Sequence, residues 1–441
     1  MVKNSNTTDR GLNVRHGFGA GYVDQGTTSV AIGHFAGRFY QNVSSIAIGS
    51  NAGYEEQQMN SVAVGSNAGN QDQQMNSVAI GSNAGNQDQQ MNSVAVGLNA
   101  GYLNQQENSI AVGWNAGQTN QQMNSVAVGL NAGQTNQQMN SVAVGLNAGQ
   151  TNQQMNSIAV GLNAGQVNQQ TESISMGVNA GCYNQQMNSV AVGSNAGFQD
   201  QQMNSVAVGF HAGRFYQNVK SIAIGSDAGF EDQQMESIAI GSNAGNRYQR
   251  KYSIAIGSNA GFFRQGENAI AIGGGAGRLN QHTNTIVLNA TDATLNTSNS
   301  NAFYVKPIRF LGSDNANVLT YDSVTGEIID SSAMTFKHRS TLVGISNSNP
   351  VNMLDIGNKI SVHASGDNVL SVHGDMSTTS INVLKDIVIG GNIYVNGTET
   401  VTNAEKISIE NPIIQLANNV TNNNQDVGII MRRPPGNPSI F

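Results

Sequence analysis

A five-residue phrase returns every sixteen residues through most of this chain. Ser29-Val30-Ala31-Ile32-Gly33 recurs as Ser45-Ile46-Ala47-Ile48-Gly49 and Ser61-Val62-Ala63-Val64-Gly65. It steps on without insertion or deletion to Ala269-Ile270-Ala271-Ile272-Gly273, sixteen copies in all. A degenerate copy precedes them, with Gly17, Ala20 and Gly21 in register, and another follows at Thr285-Ile286-Val287-Leu288. Fixed-period self-similarity marks a stack of like units that bury surface against their neighbours and end in atypical caps.

Counting Ser29 as position one, the unit reads S-[VI]-A-[VI]-G-x-N-A-G-x-x-x-Q-Q-M-N. Positions two and four are β-branched almost throughout, with Met176 an exception, and positions one, three and five are small. Such period-2 alternation is that of a strand with one buried face. Helix is excluded, because two glycines per sixteen residues would each cost about 1 kcal/mol against alanine. We therefore expect an all-β, elongated parallel β-roll or β-solenoid of 16-residue coils.

Glycines at positions five and nine bracket a corner, as in Gly33 and Gly37, Gly65 and Gly69, Gly113 and Gly117. Glycine enters positive φ without a Cβ penalty. Asn at position seven tolerates the same region, and Ala at position eight reads as packing under the corner. Met at position fifteen is expected to close the core from a second strand made by Q-Q-M-N. Identical residues stack about 4.8 Å apart, so columns of Asn and Gln can hydrogen-bond as amide ladders. Sixteen coils and two caps give a rod of roughly 85 Å. A coil with two or three sizeable apolar side chains is marginal against the entropy of ordering it. The small face at positions one, three and five would admit another backbone closely, which points to a homotrimer.

Composition narrows the function. Charged residues are 11% and aromatics 6% of 441 residues, and the net charge of -7 includes no basic patch in sequence. That speaks against nucleic acid and against an anionic membrane surface. No stretch approaches the ~18 apolar residues of a membrane span. The N-terminus from Met1 to Asn6 lacks an apolar core and does not read as a secretory signal. Cys182 is the only cysteine, so no intrachain disulfide forms, and we read it as neutral variation that leaves interchain crosslinking open.

Asn60-Ser61-Val62-Ala63-Val64-Gly65-Ser66-Asn67-Ala68 resembles the head repeats of trimeric autotransporter adhesins. The resemblance spans about residues 13–288 and implies trimers of left-handed parallel β-rolls. The usual repeat there is nearer 14 residues, so the outer turn is longer here, and that family's secretory signal and membrane-anchor barrel are not found. The C-terminal third is similar to tail-fibre proteins of phages and large DNA viruses. The similarity is carried by Phe303-Tyr304-Val305-Lys306-Pro307-Ile308-Arg309, by Val343-Gly344-Ile345 with Asn349-Pro350 and Leu354-Asp355-Ile356, and by Gly391-Asn392-Ile393-Tyr394. It implies a β-rich trimeric shaft. The expected domains are an N-terminal arm at 1–12, the β-roll at 13–288, a neck with a β-hairpin at 289–335 and the shaft region at 336–441. Asp322-Ser323-Val324-Thr325-Gly326 supplies the hairpin turn.

Catalysis finds little support. The histidines are scattered, and His34 and His211 read as exposed loop residues. His363 and His373 could ring a trimer axis around a metal, but the H-x-H signature is missing. Gly273-Gly274-Gly275 lacks a P-loop lysine and a following helix. We expect no catalytic, cofactor or metal site. The informative positions are variable ones. Position six is Ser in many coils but Leu98, Trp114, Leu130, Leu146, Leu162, Val178 or Phe210 in others, suited to packing between subunits. On the outer turn, Arg38-Phe39-Tyr40, Arg214-Phe215-Tyr216 and Phe262-Phe263 are candidate receptor-binding residues, since aromatics on a neutral amide surface can stack on sugars or anchor a protein partner. The expected role is a virion fibre that attaches to a host-surface glycan or protein, in contact with other virion proteins. A bacterial surface adhesin fragment and a monomeric carbohydrate-binding solenoid are the alternatives.

Overall fold

A computed structural model describes residues 12–308, 316–337, 342–345 and 354–356. The N-terminal arm up to residue 11 and most of the expected shaft, with His338, His363 and His373, lie outside the described residues. The chain divides into two compact units at Gly312/Ser313.

The first unit is the solenoid. Three-residue strands β1 (Val14–His16) and β2 (Val30–Ile32) are followed at 16-residue intervals by the rest, up to β17 (Ile270–Ile272). Each pairs in parallel with the next, like on like: Val62 with Val78, Ala63 with Ala79, Val64 with Ile80. β18 (Ile286–Asn289) and β19 (Phe303–Lys306) extend this to a 19-stranded sheet. Residues 289–302, which we expected to leave the stack as a neck, close one more coil instead, tied to the coil before by the Ala276–Leu295 bridge. Opposite the sheet no second strand forms. Q-Q-M-N is loop and turn, and the second ladder consists of single bridges at position eleven, from Val23–Phe39 to Phe263–Leu279.

Sixteen residues close a coil because five of them take positive φ. Gly33 (132°) and Gly37 (52°) do so as expected at positions five and nine, and Asn51 (54°) at position seven. Positions twelve and sixteen do so as well, for example Asn120 (56°) and Asn60 (57°). Asn is the side chain that enters the left-handed region most easily after glycine, which explains its columns. The columns also bond along the rod. Asn51 donates to Asn67 at 3.1 Å and Asn67 to Asn83 at 3.1 Å.

The core corrects the sequence reading. The Ser at position one and the Ala at positions three and eight are fully buried, as with Ser61, Ala63 and Ala68. So is the Gln at position thirteen, as with Gln73. The β-branched residues face out: Ile48 is 37% and Ile80 40% exposed, and Met59, expected to close the core, is 43% exposed. The small face is thus the interior of each chain's own coil, not a surface for another backbone. Among the sixteen repeats position three is Ala or Ser, and a valine enters the interior only at Val287 of the last, longer coil. Each repeat is filled by methyls, hydroxyls and one amide that crosses it. Gln57 Nε2 donates to the Ile46 carbonyl at 2.8 Å and to Gln73 Oε1 at 3.2 Å. Ser61 Oγ donates to the Gln58 carbonyl at 2.6 Å.

The second unit is described only in part. β20 (Ala316–Tyr321) and β21 (Ile328–Lys337) pair antiparallel around a turn at Asp322–Glu327, and β22 (Leu342–Ile345) and β23 (Leu354–Ile356) complete a four-stranded sheet. Asp322 Oδ1 accepts the backbone N–H of Val324 at 2.7 Å and of Thr325 at 3.1 Å, which holds its carboxyl below the usual range.

Candidate functional site

The rod offers two kinds of surface: the apolar face over the sheet and the outer turn. On the sheet side, positions fifteen, two and four carry Met, Val and Ile outward in coil after coil. In the middle of the rod position six widens this face with Leu98, Trp114 and Leu130, which are 42%, 56% and 39% exposed. No charge interrupts positions two and four from Val30 to Ile272.

The outer turn is built differently in different coils. The two Arg-Phe-Tyr copies do not present their arginines as free binding groups. The Arg38 guanidinium lies 4.2 Å from the Phe35 ring centroid and 4.8 Å from that of Phe39, and donates to Tyr54 Oη at 3.0 Å. Arg214 lies 4.8 Å from Phe215, 5.6 Å from Phe230 and 5.7 Å from Phe198. Each arginine is a half-buried wedge between rings of adjacent coils, held by cation–π attraction. Tyr40 and Tyr216, at the left-handed position twelve, are left exposed. The repeated motif therefore combines a structural arginine with an available tyrosine.

Edge-to-face contacts link the rings along the rod: Tyr183–Phe198 at 5.4 Å, Phe198–Phe215 at 6.1 Å and Phe215–Phe230 at 5.6 Å between centroids. These alternate between positions ten and eleven of successive coils. Sequence reading found Phe215 but not Phe198 or Phe230, whose single occurrences at a variable position carried no motif. His211 is less exposed than expected. It stacks on Phe210, and its Nδ1 lies 3.1 Å from Asp227 Oδ1. Cys182 is 1% exposed, and burial pushes its thiol up to about 11, so it is not placed for interchain crosslinking.

Two concavities open on this edge. The first is a trough walled by position twelve on one side and position fourteen on the other. Asn104, Gln106, Asn120 and Gln122 and their successors to Gln154 enclose about 310 Å³, and a like volume continues to Asp200. Its Asn wall is one hydrogen-bonded file, from Asn104 to Asn120 at 3.0 Å through to Asn184 and Asp200 at 2.9 Å. The second is a cleft of about 330 Å³ between Phe230 and Phe262, lined by Asp227, Asn243, Asn246 and Arg247. Asn246 is its floor and donates to the Asp227 carbonyl at 2.8 Å. Of the candidate receptor-binding residues, Phe262 lines this cleft. Nearer the start, Glu56 is raised above the usual carboxylate range by its hydrogen bond to Asp72 and by that residue's charge.

Among the described residues no three His, Cys, Asp or Glu side chains gather as a metal site, and no helix is long and apolar enough to cross a membrane. The chain matches no protein-family model, and comparison with curated proteins and with solved structures returns no match.

Proposed function

We propose that this chain is the subunit of a trimeric attachment fibre whose rod packs through its Val/Ile face and binds a host surface with its outer turns. The observation that carries this is the outward apolar face. Positions two and four are apolar in all sixteen repeats, a longer continuous apolar stripe than the few-hundred-Å² patches, roughly 300–600 Å² at the largest, that a typical monomer exposes. A rod with such a stripe gains by turning it toward copies of itself. Three rods around an axis cover every stripe and leave every outer turn in solvent. The resemblance of residues 13–288 to trimeric adhesin heads supports the same arrangement. The tail-fibre-like residues after 302 favour a virus particle over a bacterial surface as the owner. The partners are then two further copies, neighbouring virion proteins and a surface glycan or protein.

The attachment reading is tested with the full-length chain on an array of immobilised glycans and cell-surface proteins. We expect binding that weakens several-fold on Tyr40→Ala or Tyr216→Ala, the scale of losing one aromatic contact of about 1 kcal/mol. Absence of binding to every member of the array contradicts an adhesive role.

A further inference from the structure

Contrary to the patch-free charge expected from the sequence, basic residues are distributed unevenly along the rod. From residue 39 to residue 213 there is not one Lys or Arg. From 247 to 278 there are five, Arg247, Arg250, Lys251, Arg264 and Arg278, against the single acid Glu267. Two are neutralised in place: Arg247 Nε lies 3.6 Å from Glu231, and Lys251 Nζ lies 3.0 Å from Glu267. Arg250, Arg264 and Arg278 are exposed and have no carboxylate partner among the described residues.

They stand on the outer turns of three consecutive coils. Arg278 is at position ten, Arg264 at twelve and Arg250 at fourteen, on three consecutive coils. Positions twelve and fourteen are the two walls of the trough, so Arg264 and Arg250 stand where Asn104 and Gln106 stand farther up the rod. Position ten borders the Phe230–Phe262 cleft. Aromatic faces accompany the charges. Arg264 lies 5.0 Å from the Phe263 ring and Arg278 5.8 Å from the Phe262 ring, while Tyr248 meets Phe263 edge-on at 5.9 Å.

We infer that the outer turns of residues 246–280 bind an anionic polysaccharide, with Arg250, Arg264 and Arg278 on its carboxylate or sulfate groups and Phe262 on a sugar face. This rests on the attachment reading and gives it a chemical class. Guanidinium groups pair with planar or tetrahedral oxyanions through charge-assisted hydrogen bonds. Ring faces suit a polyhydroxylated ring, which has C–H bonds on its faces, while Asn246 is buried and holds the cleft floor through its bonds to the Asp227 carbonyl and Asn243 Oδ1. Three unpaired cations on consecutive coils, in a rod whose ten coils from 45 to 204 carry no Lys or Arg, suit a ligand carrying spaced charges. A nucleic acid would call for a longer run of phosphate contacts.

The test uses the full-length chain on surfaces bearing heparin, hyaluronan, neutral dextran and single-stranded DNA. We expect retention on heparin and hyaluronan but not dextran, weakening as ionic strength rises. The triple variant R250Q/R264Q/R278Q should bind at least about tenfold more weakly, and Phe262→Ala several-fold more weakly. The three arginines are exposed and Phe262 is half-buried, and circular dichroism of each variant verifies that the rod is intact. Preference for heparin over hyaluronan assigns the anion as sulfate, and equal binding assigns it as carboxylate. Equal binding to dextran, no loss in the triple variant, or DNA bound as tightly as heparin overturns the inference. If the chain binds other glycans or proteins but neither acidic polymer, this site falls and the attachment reading stands. Absence of all binding removes both.

Discussion

Gly129 and Gly145 stand one coil apart with no space for a methyl between them. A Cβ on Gly129 would lie 2.4 Å from the Gly145 carbonyl oxygen, on a backbone with φ of 134°. Gly129→Ala is therefore expected to destabilise the rod by about 1–3 kcal/mol through backbone strain alone, and by more where the stack must part. Gly274 has nothing within 4 Å of its Cβ position, so Gly274→Ala should stay within about 0.5 kcal/mol of wild type. Thermal unfolding of the two variants measures the difference.

The interior amide of each coil makes stability sensitive to a single oxygen-for-nitrogen exchange. Gln137 Nε2 donates to the Val126 carbonyl at 2.8 Å and to the Ser141 carbonyl at 3.3 Å, while its Oε1 receives no donor. In Gln137→Glu an ionised carboxylate would face those carbonyls in a dry site, so the folded pKa rises above the unfolded value of about 4.3. The sign follows from linkage: stability is full below that value and is lost as pH rises through the folded pKa. We expect a denaturant midpoint close to wild type near pH 4 and well below it at pH 7.

Cys182 should be inert in the folded rod. Its thiol is raised to about 11 by burial, and its Sγ donates to Gln166 Oε1 at 3.4 Å. Attack requires the thiolate. Labelling with an aromatic disulfide at pH 8 is expected to be slow in buffer and rapid in denaturant. Rapid labelling of the native chain would place the sulfur outside. The raised pKa also means that its stabilising contribution is held below the unfolded value and declines as pH climbs toward 11.

Arg214 is expected to matter to the rod more than to a receptor. Removing its guanidinium from between Phe198, Phe215 and Phe230 empties a half-buried slot, so Arg214→Ala should lower stability by about 1–2 kcal/mol. Tyr216→Ala should leave stability unchanged and act on binding. Paired unfolding and binding measurements separate the two roles.

Sequence alone carried the period, the strands, the corner glycines, the left-handed Asn51 column and the buried Ala52 column, because each depends on a residue's own conformational limits or size. It did not carry which face points inward. Alternation is symmetric, and exchanging the two faces leaves the same pattern of large and small. Only the circumference of a 16-residue coil decides that Ala63 goes in and Val64 goes out. Gln73 falls in the segment that the sequence assigns to a second strand, since glutamine is rarely a core residue. Its burial follows from the carbonyls inside the coil that need a donor. The extra coil at 289–302 was hidden because it lacks the repeated phrase. The stacked arginines were hidden because their ring partners come from different coils.

Val128, Val144 and Val160 face outward, and in the proposed trimer copies of the chain cover them. Light scattering of the purified full-length chain tests it most directly. We expect a mass three times the 46.3 kDa of the chain, falling to the single-chain value in Val128→Glu/Val160→Glu with β content unchanged. A wild-type mass of 46.3 kDa would contradict it.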